Sequence, residues 1–173
     1  MADNTSAAGI RPRPLKYDMP SIHWRSAALA GIAAGIIATV VQIALWMVWS
    51  EPLLAMLFRD ARLAAAIVMG REALPPPATF DWSIMLVATL VHFALSIAYG
   101  LTLSVFISRL STPLSLLAGA VFGLFLYAAN MYGFTFLYPW FAVARDWITA
   151  TTHVVFGVVV VAIYKTRPTT TSR

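Results

Sequence analysis

The sequence has no cysteine, so disulfides, thiolate metal sites and cysteine nucleophiles are outside its chemistry. Charge is scarce. Asp, Glu, Lys and Arg make up 11% of its 173 residues, where a soluble domain carries about 25%. This excludes a soluble globular domain and an intrinsically disordered chain alike. Acidic residues number seven, and none falls inside a long apolar run, so no pair of carboxylates is available there for acid–base work. A phosphate-binding glycine loop, a nucleophile elbow, a metalloprotease helix and a dinucleotide fingerprint are also missing. No residue is assigned a catalytic role.

What the chain has is hydrocarbon: 60% of its residues are hydrophobic. Four nearly uncharged runs stand out, from about Ser26 to Trp49, Trp82 to Ile107, Leu114 to Tyr138 and Trp147 to Tyr164. About 20 apolar residues span a bilayer as a helix. A lone apolar segment in lipid must satisfy its own backbone, which predicts helices. The expected fold is an all-α bundle of four transmembrane helices over residues 26–164. A basic cytoplasmic tail (1–25) would precede it and a short one (165–173) would follow. The run Leu53–Met69 is interrupted by Arg59, Asp60 and Arg62, so it reads as an interfacial helix in the first outer loop. Short connections at 108–113 and 139–145 place the second span beside the third and the third beside the fourth.

Lys and Arg set the orientation. Arg11, Arg13, Lys16, Arg25, Arg109, Lys165, Arg167 and Arg173 fall on one side, against Arg59, Arg62, Arg71 and Arg145 on the other. The positive-inside rule puts both termini in the cytoplasm, in a bacterial-type inner membrane. The net charge of +5 is then a topology signal, with no basic face or motif for nucleic acid. Tryptophans near the ends of the runs, Trp46 and Trp140 among them, read as interfacial belts.

An internal repeat is visible. LAGIAAGIIATVVQ from Leu29 aligns with LAGAVFGLFLYAAN from Leu117, matching Gly31/Gly35 to Gly119/Gly123 and Gln42 to Asn130. Asp81-Trp82 and Asp146-Trp147 open the second and fourth runs, and each run holds one histidine, His92 or His153. Two similar hairpins in parallel repeat are expected, related by an axis along the membrane normal.

Polar side chains within the runs lie at similar depth. Gln42, His92, Asn130 and His153 sit 7 to 11 residues from the outer ends of their runs. At 1.5 Å per residue they lie roughly 10–17 Å below the surface. Lipid would leave them unpaired, so they should face the bundle interior. Two readings follow. In one, Gln42 and Asn130 hydrogen-bond neutral histidines and merely hold helices together. In the other, His92, His153, Gln42 and Asn130 form a site that binds haem b or a metal, or relays protons, with nearby glycines making room for a porphyrin. The alternative to a ligand site is a non-catalytic accessory or assembly subunit of a membrane complex. Beyond the lipid bilayer, the glycine pairs permit a homo-oligomer.

At Gly31 to Gly35, Glu51-Pro52, His92-Phe93-Ala94-Leu95-Ser96, Leu116-Leu117-Ala118-Gly119-Ala120 and His153, the chain resembles the YagU-like family of small bacterial inner-membrane proteins. The resemblance covers about Ser26 to Tyr164 and implies a helical membrane architecture. That family carries an acidic residue a turn before the last histidine, where this chain has Thr149.

Overall fold

The computed structural model describes residues 22–49, 52–74 and 76–166. Most of the two expected tails, residues 1–21 and 167–173, lies outside the described residues, as does Glu51. The main elements are α1 (Trp24–Val48), α2 (Leu53–Met69), α3 (Trp82–Ile107), α4 (Thr112–Ala128) and α5 (Trp147–Thr166), and no strand occurs among the described residues. Among the described residues, four helical stretches are long and apolar enough to cross a membrane: Trp24–Val48, Trp82–Ile107, Thr112–Phe136 and Trp147–Thr166. The helix α1 starts before Ser26 and α5 continues past Tyr164, so Trp24, Arg25 and Lys165 belong to helices and not to tails.

Two helix starts are fixed by aspartate. Asp81 Oδ1 accepts from the Ser83 and Ile84 amides at 2.8 and 3.1 Å, and Asp146 Oδ1 from the Thr149 amide at 2.8 Å. Each supplies an oxygen to amides that have no partner in the first turn. The third span departs from the expected unbroken helix to Tyr138. The α-helical bonding stops at Ala128. A π turn follows over Ala129–Gly133 and 3-10 turns over Phe134–Phe136 and Pro139–Ala144. Asn130 and Gly133 are weak helix formers. Arg145 supplies the compensation: its Nε donates to Met131 O at 2.6 Å and its Nη2 to Thr135 Oγ1 at 2.7 Å.

Glycine sets the closest packing. A Cβ on Gly100 of α3 would stand 2.7 Å from the Gly31 Cα of α1, and one on Gly119 of α4 would stand 2.6 Å from the Gly157 carbonyl of α5. In lipid no hydrophobic force drives helices together, so such close backbone approach and its dispersion contacts take over. The Gly31/Gly35 and Gly119/Gly123 faces are thus consumed inside the chain, on α3 and α5, and are not free to join another copy.

Neighbours run in the order α4, α5, α1, α3, α2. Although a tight turn joins α3 and α4, they share little contact, which corrects the expectation from loop length. Instead α5 packs on both α4 and α1, and a seam is left between α3 and α4. We call the end where α1 begins and α5 finishes the near end. There the interior is dry, with Leu103, Ile107, Val160 and Val161 almost fully buried. At the far end α2 does not merely lie apart on a surface. Leu63, Ala65 and Ala66 are buried, and α2 packs on α3 through Ile84 and Ala88. Trp140 fastens it, donating from Nε1 to Leu63 O at 3.1 Å. Trp46 is likewise interior, at 3% exposure, and not a belt residue, whereas Trp82 is 79% exposed.

Candidate functional site

The four polar residues singled out by depth reach one place. Gln42 from α1, His92 from α3, Asn130 from the π turn after α4, and His153 from α5 all line one cavity of about 450 Å3. Its far side is lined by Phe134 and Phe141 of the two 3-10 turns, by Tyr138 between those turns, and by Ala64 and Ile67 of α2. The lining contains no Asp, Glu, Lys or Arg.

Half of the polar layer is fully engaged. His153 Nδ1 lies 2.8 Å from the Thr149 carbonyl, one turn back on α5. A carbonyl only accepts, so Nδ1 carries the proton and Nε2 is the acceptor. The Asn130 Nδ2 amide donates to that Nε2 at 3.3 Å. Its Oδ1 accepts from the Tyr99 hydroxyl at 3.0 Å. Tyr99, Asn130, His153 and the α5 backbone therefore form one chain of donors and acceptors linking α3, α4 and α5. The π turn places Asn130 here, and Arg145 holds the turn. Single π turns inside helices are frequent at functional sites.

The other half is arranged differently. Gln42 does not bond a histidine. Its Nε2 donates to Asp60 Oδ2 of α2 at 3.1 Å, and Asp60 is also held by Arg59, Nη2 to Oδ1 at 2.8 Å. Burial pushes the Asp60 carboxyl above its ordinary pKa, and the Arg59 guanidinium draws it only part of the way back. His92 Nε2 is buried against the Gly35 backbone, which attracts it, and makes no hydrogen bond of good geometry among the described residues. It lies beside α1, where a Cβ on Gly35 would come within 3.0 Å of it. Most buried polar atoms find partners; this nitrogen and Arg62 Nε of α2 lack a hydrogen bond among the described residues, and of the two only His92 lines the cavity, where a ligand would complete it. Ser96, one turn along α3, also lines the cavity.

Several residues were not expected. Tyr99 bridges α3 to the π turn after α4. Asp60, which the sequence places in an interfacial helix, reaches the polar layer, and Arg145, which it places in an outer loop, anchors the backbone of that layer. The glycines near the histidines do not open space for a porphyrin. Gly35, Gly119, Gly123 and Gly157 are closed by atoms of the neighbouring helix. Among the described residues no three His, Asp or Glu side chains gather as a metal site would need.

Comparison with protein-family models, curated proteins and solved structures gives no match.

Proposed function

We propose that the chain is a polytopic membrane protein whose chamber binds a small neutral ligand without transforming it, with His92 as the hydrogen-bonding residue. The observation that carries this is the buried His92 Nε2, without a well-formed hydrogen bond, in an uncharged lining. Ligand sites are concave and largely apolar, with a few placed polar groups, in cavities of about 300–1,000 Å3. The chamber has that composition and size.

Haem or metal ligation is less well supported. Both His153 nitrogens are committed, and the glycine spaces are filled by backbone. A proton relay across the membrane is also less well supported. Toward the near end the chamber gives way to Leu103, Val160 and Val161, and Ser104 spends its hydroxyl on the Gly100 carbonyl. The role of accessory or assembly subunit draws on the seam between α3 and α4, which a partner helix would cover.

The cationic residue count supports placing both termini in the cytoplasm of a bacterial-type inner membrane, with the chamber toward the outer side. Two hairpins, α1–α3 and α4–α5, are read as copies of one unit. Each packs across glycines, and each starts its second helix with a capping aspartate. In the second copy the amide bonds its histidine; in the first the amide has turned to Asp60 and released His92. The YagU-like resemblance bears on this architecture.

The test is unfolding stability in bicelles with 1,4-naphthoquinone as a neutral probe and benzoate as a charged one. A ligand that binds only the folded chain stabilises it by about 2.7 kcal/mol at a hundredfold excess over Kd. Naphthoquinone is expected to stabilise the protein, benzoate is not, and His92→Leu should weaken binding about fivefold to tenfold. Absence of stabilisation by naphthoquinone, or full retention in His92→Leu, contradicts the reading. A Soret band in the purified protein, lost in His92→Ala and His153→Ala, would restore haem.

A further inference from the structure

The seam between α3 and α4 does not end at the chamber. Toward the near end the same pair of helices bounds a separate apolar groove of about 340 Å3, formed by Leu103 and Phe106 of α3 and by Ala118, Val121, Phe122 and Phe125 of α4, with Tyr99, Leu103, Phe122 and Leu126 packed between it and the chamber. Leu103 lies one turn from Tyr99, and Phe122 one turn from Leu126, and both Tyr99 and Leu126 line the chamber. The two spaces are therefore stacked along one seam, the upper polar and the lower wholly hydrocarbon. The seam is the side on which the helices enclose the chamber least, since α3 and α4 scarcely touch. Its margins are exposed: Leu95 by 39%, Phe106 by 65% and Phe125 by 63%. In a helix bundle immersed in lipid, this is the side on which the acyl chains lie nearest the chamber.

Resting on the chamber as a binding site, we propose that its ligand is a neutral single-chain lipid with an oxygen-bearing head, a quinone or a long-chain alcohol in chemical class. The head lies in the chamber and the chain in the α3–α4 groove. The uncharged lining excludes a phosphate or carboxylate head, because an ion there would be desolvated with no countercharge. His92 Nε2 supplies one hydrogen-bonding atom to the head. The Tyr99 oxygen already donates to Asn130 and keeps lone pairs to accept from a hydroxyl. The groove's six lining residues are all apolar, as a hydrocarbon chain requires. The hydrocarbon chain of the ligand gains little by leaving lipid for the groove, since both are apolar. Its role is geometric: a head can sit on His92 only if the attached chain has a path out, and the seam is that path.

This gives a steric test that membrane partitioning cannot imitate. Binding of 1,4-naphthoquinone and of its 2-decyl derivative is measured in bicelles, at matched mole fraction of lipid, by unfolding stability. The variants are Val121→Trp, which fills the groove from an exposed position, and Leu124→Trp, a neighbouring exposed position outside it. Val121→Trp is expected to weaken the decyl compound at least about tenfold and to leave naphthoquinone unchanged, because a bulky clash rejects the tail alone. Leu124→Trp should change neither, and His92→Leu should weaken both. If the decyl compound binds Val121→Trp as well as the unaltered protein, the groove assignment is overturned while the chamber reading stands. If decanoate binds as tightly as the decyl quinone, the neutral-head assignment is overturned. If neither quinone binds the unaltered protein, the chamber reading falls with the proposal.

Discussion

Asn130 uses both ends of its amide, and each end holds a different helix: Tyr99 of α3 on Oδ1, His153 of α5 on Nδ2. Replacing it by leucine strands two part-buried polar groups. Asn130→Leu is therefore expected to cost about 1–2 kcal/mol of stability in bicelles, although an average interhelical hydrogen bond in a membrane is worth about 0.6 kcal/mol. His92→Leu should behave oppositely, leaving stability unchanged or slightly raised, since its Nε2 has no well-formed hydrogen bond to lose. Equal destabilisation by the two substitutions would contradict the assignment of roles. Asp60 has a pH signature of its own. Its carboxyl pKa is raised by burial in the folded state, above about 3.9 in the unfolded chain. The folded state thus holds this proton more readily, and the Asp60 contribution to stability is greatest below the unfolded value. It declines as pH rises toward the folded value and stays low beyond it. Asp60→Asn is expected to raise stability at neutral pH and to flatten the profile between neutral and acid, read by unfolding across that range. The depth of Gln42, His92, Asn130 and His153 was legible because distance along a helix counts turns. The partner of Gln42 was not, because Asp60 arrives from α2, whose docking no spacing in α1 encodes.

At the scale of elements, the glycines divide by what faces them. A Cβ on Gly119 would meet the Gly157 carbonyl at 2.6 Å, whereas nothing lies within 4 Å of one on Gly133. Gly119→Ala must push two backbones apart, and a loss of about 1–3 kcal/mol is expected, the range for overpacking. Gly133→Ala is expected to be neutral or to stabilise by up to about 1 kcal/mol by restricting the unfolded chain. Unfolding of both variants checks this, and similar losses would show that α4–α5 contact is looser than described. Helix length, apolar character and the Asp81 and Asp146 caps were all readable, since each depends on local chemistry. The seam was not. A short turn brings only the ends of α3 and α4 together, and their divergence follows from α5 lying against α1. The π turn was also invisible, because Met131 O finds its partner in Arg145, across a further loop.

For the whole molecule, the chamber is one-sided: its polar layer lies toward the far end, and the interior toward the near end is packed with Leu103, Ile107, Val160 and Val161, so the α3–α4 seam is its lateral boundary. The missing cysteines make its orientation easy to measure, since any introduced thiol is unique. Exposed Glu72 and Thr112 sit at opposite ends of α3. On the proposed orientation, an impermeant maleimide on intact cells should label Glu72→Cys and should reach Thr112→Cys only after lysis. The reverse pattern would invert the topology. The measurement closest to the central claim is 15N spectroscopy of histidine-labelled protein in bilayers, recorded with and without Asn130→Leu and with and without 1,4-naphthoquinone. The expected result is two independent rings: His153 as the Nδ1–H tautomer, shifted by Asn130→Leu, and the His92 ring shifted by the quinone. Two rings that respond alike, or a quinone that moves neither, would contradict a chamber with one committed and one available imidazole.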